Sequence, residues 1–116
     1  MHSRKKTSEN SEAKAVSALQ AVVREISRMP GVTEAKFFGF EGFKVKDKFF
    51  ALTFKGMLVV KLPRERVEAL VVEGKGRQFN PYGRIKKEWV AVAPSSQSEW
   101  LSLAREAKNH VTAGSR

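Results

Sequence analysis

Residues 74–84, GKGRQFNPYGR, hold the densest set of groups able to bind an anion. Gly74, Gly76 and Gly83 expose backbone N–H groups, and Lys75, Arg77 and Arg84 can pair phosphate oxygens. The stretch is not a Walker loop: the Lys-Ser/Thr tail is missing, and the pattern predicts a strand, not a helix, after it. Three readings stay open: a basic helix stop and turn, a contact with a nucleic-acid backbone, or a small-anion site.

Groups for catalysis are scattered. His2 and His110 lie at opposite ends of the chain, outside any HxxxH or HExxH spacing. His110 suits a cation near a helix C-terminus better than a metal ligand. Ser95, Ser96 and Ser98 lack the glycine flanks and neighbouring base of a nucleophile elbow. Glu65 and Glu68 interleave with Arg64 and Arg66, so no carboxylate pair stands ready for acid–base work. Cysteine is absent, which removes disulfides, thiolate chemistry and Cys-based zinc sites. The expectation is a non-enzymatic protein with no catalytic, cofactor-binding or metal-binding residues.

The elements that must position the remaining candidates are legible from periodicity. The 116 residues suit a single domain. No apolar run approaches the roughly 20 residues that span a bilayer, and no apolar segment follows the N-terminal charges, so a cytoplasmic protein without membrane contact is expected. Residues 1–10 carry the basic run Arg4-Lys5-Lys6 and no apolar pattern, and read as a disordered arm. A single domain is expected over residues 11–111, with residues 112–116 frayed.

Within it, Val16, Leu19, Val22, Val23 and Ile26 form a helical stripe, with Ser11 as its cap and Pro30-Gly31 as its stop. Residues 35–62 change to a two-residue period. Lys46-Asp47-Lys48 and Lys55-Gly56 are turn signals between the runs. Pro63 opens a short helix with Val67, Leu70 and Val71, and Gly74 sits where a glycine ends it. A brief strand is expected at Gln78-Phe79 and another over residues 85–93. Ser96 and Glu99 then fit a capping box before the stripe Trp100, Leu103, Ala104, Ala107 and Val111. The predicted class is α+β in the order α-β-β-β-α-β-β-α: a two-layer helix–sheet domain with a mainly antiparallel sheet.

Alternation along the strands gives further candidates. With Phe43 and Val45 inward, Lys44 and Lys46 point outward. Phe49, Thr53, Met57, Val59 and Lys61 are expected on the same outer face, and Phe50, Leu52 and Phe54 on the inner one. That outer face fits a solvated lysine surface, a dimer or partner interface around Phe49, Met57 and Val59, or a nucleic-acid platform. If Trp89 faces inward with Ile85, then Lys87 shares its side, a conflict that a bulge near Lys87 would resolve. Trp89 and Trp100 read as core anchors.

The formal net charge is +10, and most of the basic excess lies between residues 31 and 93, not in a tail. Cations on a rigid scaffold suit non-specific affinity for nucleic acid, and equally an acidic protein partner. No basic recognition helix stands out, so sequence-specific readout is not expected.

The motifs from Pro30 to about Val111 are also familiar. Phe38-Gly39, Gly42-Phe43, the turn at Asp47-Lys48 with Phe50-Ala51-Leu52, and Lys61 resemble the TfoX/Sxy N-terminal-domain family. PGVTEAKFFG at residues 30–39 and KKEWVAV at residues 86–92 resemble MmcQ/YjbR-type proteins. The resemblance implies a secretion-chaperone-like helix–sheet fold. It also implies a bacterial regulatory or DNA-binding role of the kind linked to DNA-uptake competence, with no catalytic residue set. The sequence thus favours nucleic-acid phosphates on Lys44, Lys46, Lys75, Arg77, Arg84, Lys86 and Lys87. A protein-interaction module, homodimeric or adaptor-like, is the alternative, through Phe49, Met57 and Val59. Whether lysines or apolar groups dominate the uncovered sheet face separates the two.

Overall fold

The computed structural model describes residues 18–37, 39–83, 86–92 and 96–113. The expected arm at residues 1–10, the Ser11 cap, Arg84, Ile85 and residues 114–116 lie outside them. Helix α1 covers residues 18–28 and closes at Pro30-Gly31, where Gly31 adopts φ 78°. Four strands follow: β1 (Val32–Phe37), β2 (Phe40–Val45), β3 (Lys48–Phe54) and β4 (Met57–Lys61). Then come α2 (Arg64–Val72), β5 (Gly76–Phe79), a 3₁₀ turn (Pro81–Gly83), β6 (Lys86–Val92) and α3 (Gln97–Ala113). The class is α+β, as the periodicities predict, with β1 added in front of the expected meander. The last helix runs on through Thr112 and Ala113, past the predicted fraying point.

Local chemistry explains the connections. Lys46 and Asp47 have φ of 51° and 64°, and Lys55 and Gly56 have 49° and 77°. Both pairs form two-residue loops with positive φ at each position, whose twist matches that of the flanking strands. Helix α2 ends in a Schellman motif: Lys75 N–H donates to the Leu70 carbonyl at 2.9 Å and Gly74 N–H to that of Val71 at 3.1 Å, with Gly74 at φ 78°. Pro63 occupies the cap position of α2, one place before the predicted first turn. At α3 the Ser96 hydroxyl accepts the Glu99 N–H at 3.2 Å, as the capping box requires.

All strand pairs are antiparallel, in the order β1-β2-β3-β4-β6-β5. Helix α3 packs across β2, β3 and β4, and α2 across β5 and β6. The core under the helices joins Val22 and Ile26 of α1 to Phe43, Phe50, Leu58, Val60, Val90, Leu70 and the wholly enclosed Trp100. Arg66 of α2 reaches Glu106 of α3 at 2.9 Å and ties the two helices at their outer edge.

The second sheet face is different. Leu52, Val59, Phe79, Trp89 and Ala91 form a separate buried cluster, with Phe37, Phe40, Phe49, Phe54 and Met57 half-buried against it. Among the described residues, no helix contributes to it.

Candidate functional site

The helix-free face is built by cross-strand rows, since residues directly opposed in a ladder share a face. Trp89 opposes Lys61 at one end of the face and Phe49 opposes Lys44, while a continuous row runs Arg77, Ala91, Val59, Leu52 and Gly42. Phe54 and Met57 face each other in another row, and Phe37 and Phe40 in line with it on β1 and β2.

A bulge decides which strand residues reach this face. Phe43 opposes Ala51 while Lys44 opposes Phe49, leaving Phe50 as the extra residue of β3. Phe50 and Ala51 therefore both turn to the helices, and the alternation is reset between them. Phe49, Met57, Val59 and Lys61 lie outward, as expected from the pattern. Leu52 and Phe54 also lie outward, against the expectation of an inner position, and Thr53 and Ala51 lie inward. A uniform two-residue period carried through Phe50 misses the reset.

The rings tile the face. Phe37 and Phe49 stack with centroids 4.2 Å apart and planes 16° from parallel, and Trp89 lies 5.5 Å from Phe37. Phe54 meets Phe40 at 4.9 Å and Phe79 at 5.2 Å, both edge to face. Gly42 makes room: a Cβ there would fall 2.9 Å from the Phe49 ring and 3.1 Å from the Phe37 Cβ. Cations border this layer. Lys44 Nζ sits 5.8 Å from the centre of the Phe49 ring and Lys55 Nζ 5.3 Å from that of Phe54. Lys61 reaches Glu88 at 3.9 Å, and Arg77 is exposed beside Ala91.

The predicted cations separate into several places. Lys44 and Arg77 are on the ring face. Lys46 is at the exposed tip of the β2–β3 turn, and Lys75 follows α2, 4.0 Å from Glu73. Lys86 and Lys87 line a groove beside α2 on the opposite side of the sheet. The β5–β6 ladder slips between Gln78, opposite Val90, and Phe79, opposite Lys86, an irregularity near Lys87 of the kind the alternation called for. Ile85, on which the conflict was framed, lies outside the described residues. Trp89 belongs to the ring face and is buried there, while Trp100 anchors the helix-side core. Of the predicted interface residues, Phe49 and Met57 are half-buried at the surface of the layer. Val59 is a correction: it is wholly buried and offers a partner nothing, because the flanking rings and Met57 pack against it. Lys55 is a cation of the site that the sequence reading left out, and Lys61, expected on the outer face, was not counted among the phosphate-binding residues; their place at or beside strand ends was the available signal.

Gly76, read from sequence as a phosphate-facing glycine, has a packing role: a Cβ there would fall 2.5 Å from Val90 Cγ2. Among the described residues, no cluster of His, Asp and Glu is suited to a metal, and His110 lies in the last turn of α3. No helix among them is long and apolar enough to cross a membrane.

Fold and face together define a small α+β domain with a six-stranded antiparallel sheet, helices on one side and a cation-bordered aromatic layer on the other. The YjbR family model matches residues 27–107, from the end of α1 into α3. The chain belongs to the YjbR family, in line with the motifs at residues 30–39 and 86–92. No curated protein matches it.

Proposed function

We propose that this protein is a small non-enzymatic regulatory or accessory module, acting in the cytoplasm, that contacts nucleic acid without reading its sequence. Its contact surface on this reading is the aromatic sheet face, and its ligand a single strand. The observation that carries it is the position of Lys44, with its ammonium 5.8 Å from the centre of the Phe49 ring. Rings beside cations are what an unpaired strand needs, because bases stack on aromatic side chains while phosphates take the charges. Lys55, Lys61 and Arg77 extend the cationic border, and the net charge of +10 favours a polyanion. The TfoX-like motifs point to the same regulatory role.

The test is a fluorescence-anisotropy titration with labelled single- and double-stranded DNA at low and physiological salt. Single strands should bind more tightly, with log K falling linearly in log salt. The double variant K44E/R77E should weaken binding and flatten that slope. Binding lost at physiological salt, or unchanged in the double variant, overturns the reading.

A second reading has its own support: among the described residues, apolar side chains outnumber cations on this face, the feature that favours a protein interface. It makes the face a homodimer or adaptor surface, or one that takes an acidic protein partner, centred on Phe49 and Met57. Sedimentation would then give a dimer that M57K dissociates; a monomer at all concentrations removes the homodimer.

A further inference from the structure

On the other side of the sheet, α2 carries more apolar surface than the core absorbs. Val67 and Leu70 are buried. Val71 is only half-buried, and Val72, at 86% exposure, is the one large apolar side chain left open among the described residues. On a helix, residues four apart stack on one face. Val67 and Val71 thus form one ridge, and Arg64, Glu68 and Val72 the next. Both ridges look onto β5 and β6 across a groove of about 320 Å³. Volumes from roughly 300 Å³ upward suit a small ligand.

The opposite wall is cationic. Gln78, Lys86 and Lys87 line it. Lys87 is there because of the ladder slip between Gln78 and Phe79: by strict alternation it would join Trp89 on the ring face. Irregularities of this kind re-aim side chains, often at functional positions. The one carboxylate in the lining, Glu68, is already engaged by Arg64 at 3.4 Å. Lys87 makes no ion pair among the described residues and is exposed.

We propose that this groove binds a small amphiphilic carboxylate, an alkyl chain ending in an anionic head. The chain lies along Val67, Val71 and Val72, and the carboxylate meets Lys87 beside Lys86. An apolar floor with one cationic wall excludes amines by charge and simple inorganic anions by lack of apolar contact. The inference is independent of nucleic-acid binding, which uses the other sheet face.

The test is an NMR titration of the full chain with octanoate, with butanoate and octylamine as comparison probes. Octanoate should shift the methyl signals of Val67, Val71 and Val72. Each methylene added between butanoate and octanoate should tighten binding about fourfold while the groove is filling. K87Q should weaken octanoate about tenfold, and V72D should weaken it as well. Both positions are exposed, so the variants keep the fold. Octylamine binding as tightly as octanoate, shifts confined to the ring face, no dependence on chain length, or full affinity in K87Q would each overturn the proposal.

Discussion

Phe37 on the edge strand and Phe49 on β3 stack face to face across β2, their centroids 4.2 Å apart, above the backbone of Gly42. The two rings close over a position where a side chain would separate them. The glycine is thus a condition of the aromatic layer, and the layer seals a sheet face that no described helix covers.

Gly42→Ala should accordingly displace the Phe49 ring and cost about 1–3 kcal/mol, the usual range for overpacking. Urea unfolding followed by far-UV circular dichroism would measure it. A variant as stable as the parent would mean that the rings do not sit over this glycine.

Gly76→Ala should also destabilise, by about 1–3 kcal/mol, because the added Cβ meets Val90 on the helix side of the sheet. The same unfolding assay applies. If Gly76 served only to expose an N–H to phosphate, stability would be untouched and only nucleic-acid affinity would fall.

The β2–β3 turn stores removable strain. Lys46 and Asp47 both hold positive φ, which costs an L-residue about 1–2 kcal/mol where glycine is free of it. Replacing the pair by Asn-Gly should raise stability by roughly 0.5–1 kcal/mol after glycine's entropic cost. The exposed Lys44–Asp47 contact at 4.0 Å, lost in the change, is too weak to offset this. A higher melting temperature in calorimetry checks it.

Trp100→Ala should cost about 3–5 kcal/mol, since the ring is wholly enclosed. Glu106→Gln, which breaks the half-exposed pair with Arg66, should cost less than about 1 kcal/mol and lose even that in high salt. Chemical denaturation of both variants at two salt concentrations compares a core anchor with a surface tie.

The sequence by itself determined the elements whose signals are local. The turns at Lys46-Asp47 and Lys55-Gly56, the Gly74 stop of α2, the Ser96 cap of α3 and the Trp100–Val111 stripe each depend on residues within a few positions of one another. Helix periodicity and turn chemistry are properties of such short windows. The inward positions of Phe43 and Val45 were legible for the same reason.

What only the tertiary structure decided is which side chains meet across strands. Phe50 is a bulge residue because of its pairing with β2, and that pairing sends Leu52 and Phe54 outward to join Phe49. Lys87 leaves the face of Trp89 because β5 and β6 slip at Gln78. Val59 is enclosed because rings from other strands lie against it. Each depends on hydrogen-bond register between segments distant in sequence. A one-residue step in that register exchanges the two faces of a sheet, and no period read along a single strand contains it.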